Sequence, residues 1–294
     1  MTDLIAVDWG TTNRRAHAIR DGVVIASERD GLGVTAVPAG GFEREVAGIR
    51  ARFADAVPED APMLLAGMIG STIGWRVAPY VPAPAGLETL VAGLVRVDAR
   101  IAIVPGVSLI EGHRADVMRG EEMQLLGAVA AGLAPADALL VQPGTHCKWV
   151  EMAAGRIARF TTAMTGELFA LLRGHSILAP QLAGAVTPDA AFLAGVSDAR
   201  DGDLAAHLFG IRAGKLLGPR HDADAPSYAS GLLIGADVAA RLRADTPDEV
   251  HLLADPALGA LYAAAVAAHG RRATLVDSHA AFVAGITRLA ELIA

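Results

Sequence analysis

The sequence predicts an α/β protein built from two tandem halves that face a central cleft. Three observations predict it. The stretch Asp8-Trp9-Gly10-Thr11-Thr12-Asn13 closes the apolar run Leu4-Ile5-Ala6-Val7 and leads at once into a second strand, Ala16-His17-Ala18-Ile19. The same device returns half a chain later, where Leu139-Leu140-Val141-Gln142 runs into Pro143-Gly144-Thr145-His146-Cys147-Lys148-Trp149. A chain of 294 residues, 53% of them hydrophobic, is long enough for two such halves, each with its own core.

In the first half, Asp21-Gly22 turns the second strand into a third, 23–26; Asp-Gly between short strands is a strong hairpin signal. The glycine turn therefore joins strand to strand. A dinucleotide or Walker loop would place its glycines before a helix. Residues 42–57 read as an amphipathic helix with Phe42, Val46, Ile49 and Phe53 on one face. A buried strand at 63–66 enters the glycine-rich loop 67–76, and the three prolines of 79–84 predict an irregular segment. A helix at 87–94, a strand at 101–104 and a helix at 121–133 complete the order β-β-β-α-β-α-β-α. That order is the layout of a ribonuclease-H-like half.

The second half opens with the same meander: strand 139–142, the Gly-Thr turn, strand 150–152, the turn Ala154-Gly155 and strand 156–160. Helices follow at 166–173, 188–197, 203–217 and 227–242, then strand 251–254, helix 258–269, strand 273–276 and a final helix at 278–293. The charged stretch 219–226 reads as a surface loop. The duplication predicts domains at 1–136 and 137–294, with the last helix packing back across the cleft.

The two turns suit a phosphate. Gly10, Thr11, Thr12 and Asn13 offer backbone N–H groups, hydroxyls and an amide, and Gly144, Thr145 and Lys148 repeat that provision. Of 25 basic residues only Lys148 and Lys215 are lysines, so a lysine in the second turn marks a place for a compact point charge. Asp8, ending its strand beside the first turn, is placed to hold Mg²⁺ directly or through water. Phosphoryl transfer then needs a base for the attacking hydroxyl. Glu121 and Glu122, opening the 121–133 helix, are both open as that base, with Asp116 behind them; acids there also complement the helix dipole. The histidines lack metal-ligand spacing, and Cys147 reads as a packing residue.

These motifs together resemble the 2-dehydro-3-deoxygalactonokinase family, sugar-acid kinases of the actin–hexokinase type of ATPase. The resemblance is carried by 8–13, by Gly67-Met68-Ile69-Gly70-Ser71 with Gly74-Trp75-Arg76-Val77-Ala78-Pro79-Tyr80, and by Val117-Met118-Arg119-Gly120-Glu121-Glu122. It continues through 143–150, Met164-Thr165-Gly166-Glu167-Leu168 with His175-Ser176, and Ser230-Gly231-Leu232-Leu233-Ile234-Gly235-Ala236. It implies two ribonuclease-H-like, actin-like ATPase domains and ATP with Mg²⁺ in the cleft. The reaction implied is transfer of the γ-phosphate to the 6-hydroxyl of 2-dehydro-3-deoxy-D-galactonate. The substrate side would comprise Ser71, Trp75, Arg76, Arg119, Thr165 and Glu167, with Arg119 or Arg76 gripping the substrate carboxylate in a bidentate fork. Adenosine would sit between 231–236 and the 253–258 turn, at Gly231, Gly235 and Asp255.

Other classes are disfavoured. A net charge of −7 without a like-charge block argues against nucleic acid, and no apolar stretch approaches the ~20 residues that span a bilayer. A single cysteine and the lack of a signal core fit the cytoplasm. A homodimer is the default assembly. Rival readings are an exopolyphosphatase-like hydrolase, an actin-like filament protein, and a kinase for a related 2-keto-3-deoxy acid such as the gluconate epimer.

Overall fold

The computed structural model describes residues 3–218, 222–244 and 246–293. The chain forms two compact units. One comprises Met1–Asp137, Glu151–Phe160 and Ser278–Ala294; the other comprises Ala138–Val150 and Thr161–Asp277.

The first unit begins with the meander β1 (Asp3–Trp9), β2 (Arg14–Arg20) and β3 (Val23–Asp30), followed by α1 (Phe42–Arg52) and β4 (Met63–Gly67). Next come β5 (Tyr80–Pro82), α2 (Leu87–Ala92), β6 (Val95–Arg96), β7 (Ile101–Ile103), β8 (Gly106–Glu111), β9 (Arg114–Met118) and α3 (Glu121–Ala130). Its main sheet has the order β3-β2-β1-β4-β7-β6. There β1 pairs antiparallel with β2 and parallel with β4, so the sheet is mixed. Leu4–Val7 have no exposed surface because both faces of β1 are covered. Ile5, Val7 and Trp9 pack on Phe42, Val46 and Ile49 of α1. By strand alternation Leu4, Ala6 and Asp8 face the opposite side.

The second unit runs β10 (Ala138–Gln142), β11 (Cys147–Ala153), β12 (Arg156–Ala163), α4 (Thr165–His175), α5 (Ala190–Asp198), α6 (Leu204–Leu217), α7 (Ala225–Arg241), β13 (Glu249–Leu253), α8 (Pro256–Ala268) and β14 (Arg272–Val276). Its sheet, β12-β11-β10-β13-β14, repeats the chain order of β3-β2-β1-β4-β7. The core joins Leu139, Val141 and Trp149 to Phe192, Ile234 and Tyr262.

The last helix, α9 (Ser278–Ile293), belongs to the first unit, where it lies along α3 and against β1. The α3–α9 contact is made backbone to backbone. A Cβ on Gly127 would fall 1.9 Å from the Ala281 carbonyl oxygen, and one on Gly285 would fall 2.2 Å from that of Met123.

Several elements differ from the sequence reading. The 42–57 helix stops at Arg52, although Phe53 and Val57 remain buried. The 121–133 helix stops at Ala130, because Gly132 adopts φ +67° and turns the chain. The 79–84 segment is not wholly irregular: β5 lies within it and pairs parallel with β8. The β8–β9 hairpin was not predicted at all. Its strands carry exposed apolar and charged residues, such as Ile110 and Arg114, and so lack a buried-strand pattern. Of the loop expected at 219–226, residues 219–221 lie outside the described residues, while Ala225 and Pro226 are buried in the first turn of α7.

The glycine contact generates the first prediction. Gly127→Ala and Gly285→Ala should each destabilise the protein by about 3 kcal/mol or more, through overpacking that neither backbone can relieve. Gly174→Ala in α4, where a Cβ meets nothing within 4 Å, should be neutral or slightly stabilising. Denaturant unfolding of the three variants checks this; equal losses would refute it.

Candidate active site

The first turn is pinned at both ends. The Gly10 N–H donates to the Asn13 carbonyl at 2.9 Å, and the Gly10 and Thr11 carbonyls accept from Val34 and Thr35. With its carbonyls turned inward, the turn leaves Thr11, Thr12 and Asn13 exposed. Behind it, buried Arg14 bonds Asp30 at 2.6 Å and Glu45 at 3.3 Å and lies over the Trp9 ring. This anchors the strand that leaves the turn.

Asp8 is half-buried at the end of β1. Burial pushes its carboxyl up to about 6, Glu121 adds to the rise, and Arg15 opposes it. Arg15 is Asp8's register partner on β2. Beside Asp8, β4 ends at Gly67 and α3 begins after Gly120, and both glycines take left-handed-side φ values, +90° and +107°. A Cβ on Gly120 would lie 3.1 Å from the Gly67 Cα, so two glycines allow the helix start to touch the strand end.

The two acids at that helix start are not equivalent. Glu122 is fully buried, and both its oxygens accept from the Gly120 N–H, at 2.9 and 2.6 Å. Burial, with Glu121 nearby, pushes its carboxyl up to about 8. Glu121 is half-buried, accepts from the Arg119 N–H at 3.0 Å, and is the acid whose charge Asp8 feels.

Within the 67–80 loop, the residues expected at a substrate have separate fates. The Ser71 hydroxyl closes its own turn onto the Met68 carbonyl at 2.7 Å, and Trp75 packs partly on the core. Arg119 donates to the Ala78 carbonyl at 2.8 Å and lies 4.2 Å from the centre of the Tyr80 ring. Its Nε and Nη1 are sealed from solvent without a hydrogen-bond partner. Arg119 thus braces the start of α3 against the loop. Arg76 is exposed.

In the second unit, the turn before β11 is locked to the start of α4. Glu167 donates its N–H to the Thr145 carbonyl at 2.9 Å, and its carboxylate meets His146 Nε2 at 2.5 Å. Gly166 sits directly on Gly144. Thr145 is exposed, whereas Lys148 is buried and donates to Thr162 Oγ1 at 2.9 Å. Thr165 and Glu167 thus stand with the second turn rather than with the 67–80 loop.

A largely apolar pocket of about 180 Å³ opens beside this turn, lined by Gly144 and Thr165, Leu233 and Ile234 of α7, and Leu258 and Tyr262 of α8. Gly231 and Gly235 do not line it. They face α5, where a Cβ would fall 2.1 Å from the Phe192 carbonyl oxygen and 2.7 Å from the Val196 Cα, so their small size serves helix packing. The α7 wall is made by the neighbouring Ser230, Leu233 and Ile234. Asp255 caps α8, accepting from the Ala257 and Leu258 N–H groups at 3.1 Å each. The sequence reading missed Asp237, Tyr262 and Thr162. An aspartate inside the apolar 228–238 run was the one available signal.

Among the described residues no group of three or more His, Cys, Asp or Glu side chains gathers around one point. The donor set suits Mg²⁺, which keeps waters and phosphate oxygens and needs one or two carboxylates from the protein. No helix is long and apolar enough to cross a membrane.

Comparison with known proteins is consistent along the whole chain. A family model described as 2-keto-3-deoxy-galactonokinase matches residues 8–289. The chain is 37% identical over 292 residues to the 2-dehydro-3-deoxygalactonokinase of Escherichia coli strain K12, covering 99% of this chain and 98% of that one. It is 39% identical over 298 residues to a protein of Rhizobium meliloti strain 1021 provisionally assigned the same activity, covering 98% and 96%. A Sinorhizobium meliloti crystal structure, also provisionally assigned as a 2-dehydro-3-deoxygalactonokinase, superposes with a TM-score of 0.91 at 36% identity, covering 100% and 99%.

Glu122 generates a pH prediction. Its folded carboxyl, raised to about 8 from 4.5, favours the protonated state, so its stabilisation is complete below about 4.5 and is lost as pH rises to 8. The Asp8 effect, raised to about 6, lies lower. Thermal unfolding between pH 6 and 8 should show a falling Tm in the wild type and a flatter profile in Glu122→Gln. Parallel profiles would refute the assignment.

Proposed function

The chain belongs to the 2-keto-3-deoxy-galactonokinase family, and we propose that it transfers the γ-phosphoryl group of ATP to the 6-hydroxyl of 2-dehydro-3-deoxy-D-galactonate. The observation that carries the mechanism is the pairing of Asp8 with Glu121 at the junction of β1, β4 and α3. The first unit, which takes in 151–160 and 278–294 besides the expected 1–136, supplies the substrate side and the second unit the nucleotide side, as two ribonuclease-H-like domains of the actin-like ATPase type.

In this reading Glu121 is the base that takes the proton of the attacking hydroxyl. It is the half-exposed member of its pair, while Glu122 is spent on the Gly120 N–H and shielded from any ligand. Asp8 holds Mg²⁺, which neutralises charge on the phosphates when bound. Gly10, Thr11, Thr12 and Asn13 in the first unit, and Gly144 with Thr145 in the second, each offer turn donors suited to phosphate oxygens. Lys148 contributes positive charge from behind the second turn, since its ammonium is held inward by Thr162. The apolar pocket takes adenosine. Arg76, exposed on the loop that Arg119 braces, grips the substrate carboxylate, and a guanidinium fork suits that planar anion.

Three predictions rest on these roles. In a coupled assay of ADP release, turnover should depend on 2-dehydro-3-deoxygalactonate; release without acceptor would favour a hydrolase, and preference for the gluconate epimer would change the substrate. Asp8→Asn and Glu121→Gln should lower turnover by about a hundredfold or more while Tm at pH 7 is held or raised. The sign for Asp8 follows from its raised carboxyl, which is ionised at a cost above pH 6. Loss of Tm in proportion to activity would make both residues structural. Arg76→Ala should raise the KM for the sugar acid by about tenfold or more and leave that for ATP unchanged; an equal change in both would remove Arg76 from the substrate side.

A further inference from the structure

We propose that Asp237 is the positioning residue of the second unit's pocket, setting nucleotide affinity by holding the pocket walls in register without touching the ligand. This rests on the reading of that pocket as the adenosine site. Asp237 lies in the C-terminal third of α7 and is 8% exposed. Its Oδ2 accepts from Trp149 Nε1 of β11 at 3.0 Å, from Thr165 Oγ1 of α4 at 3.1 Å, and from the Tyr262 hydroxyl of α8 at 3.4 Å. One carboxylate oxygen thus gathers donors from three other elements.

The choice of partners gives this hub its meaning. Thr165 and Tyr262 line the pocket, and Trp149 follows Lys148 directly on the strand that leaves the second turn. Because both hydroxyl protons point at Asp237, the two polar side chains turn their apolar surfaces to the pocket, which accounts for its lining. Such a carboxylate is not placed for stability alone. Burial raises its carboxyl pKa, its Oδ1 has no hydrogen-bond partner, and the nearest cation atom, Arg241 Nε, stands off at 3.8 Å. An apolar residue would fill the space at lower desolvation cost. What only an acceptor supplies is a fixed direction for three donors.

The test measures ADP affinity by calorimetry on the full chain, with separate KM values for ATP and the sugar acid. Asp237→Ala and Thr165→Val should each weaken ADP binding and raise the ATP KM by about tenfold. The sugar-acid KM should hold. Asp237→Asn, whose amide oxygen still accepts, should stay within about threefold of wild type. The double variant Asp237→Ala/Thr165→Val should lose no more than Asp237→Ala alone, since the two act through one bond. Unchanged ADP affinity in Thr165→Val, or additive losses in the double variant, would overturn the proposal, and Thr165→Val decides it even if Asp237→Ala fails to fold. Leu233→Trp, which fills the pocket, separates the two levels: ADP binding that survives it removes the adenosine reading itself.

Discussion

The first unit depends on one contact, the approach of Gly120 to Gly67. The strand end and the helix start can touch only because neither residue carries a side chain and both adopt φ values that L side chains avoid. Everything chemical in that unit is arranged around the contact. Asp8 stands beside Gly67, the Gly120 N–H is tied off by Glu122, and Glu121 is left as the acid with solvent access. Glu122 thereby does for its neighbour what a cap does for a helix. It absorbs a backbone donor that would otherwise compete for the Glu121 carboxylate, and its fully buried side chain fixes the rotation of α3. The Arg119 brace extends the same rigidity to the 67–80 loop, whose Tyr80 ring stacks under the guanidinium.

The second unit solves the corresponding problem with a polar hub instead of a glycine contact. Its turn is fastened to α4 by Glu167, and its pocket walls are fastened to one another by Asp237. The pocket surface that results is apolar, although polar side chains build part of it. Shape rather than hydrogen bonding is then what that surface offers an aromatic base.

Much of the fold was legible because the signals were local. Asp21-Gly22 and Ala154-Gly155 both turn hairpins with positive φ at both positions, and the apolar strands 4–7, 63–66 and 139–142 all stand where periodicity put them. The β8–β9 hairpin was not legible because apolar character does not track burial there: Val107 and Leu109 are buried while Ile110 and Val117 are exposed, and charged residues occupy much of β9. Within the site, sequence motifs identified the neighbourhoods but not the direction in which side chains point. Glu121 and Glu122 are adjacent and chemically alike, and only burial separates them. Gly231 and Gly235 were expected at adenosine from the family resemblance, and the structure shows them packed on α5. Arg119 and Arg76 were interchangeable on paper; one is consumed by Ala78 and Tyr80. Asp237 was passed over because its partners are distant in sequence and meet only in the folded unit.

The placement of α9 bears on how the protein is made. Its glycine lies against that of α3, but the whole of 138–277 apart from the 151–160 hairpin tip is translated between them and folds into the other unit. While the ribosome is still synthesising that stretch, the first unit has its sheet but not the helix that lies along α3 and against β1. Contacts of such sequence separation form slowly, and the exposed apolar face is an invitation to chaperones in the interval. A first-unit fragment ending before Ser278 is accordingly an incomplete fold, whereas the second unit has its own core inside a single loop of chain and can close before the last helix emerges.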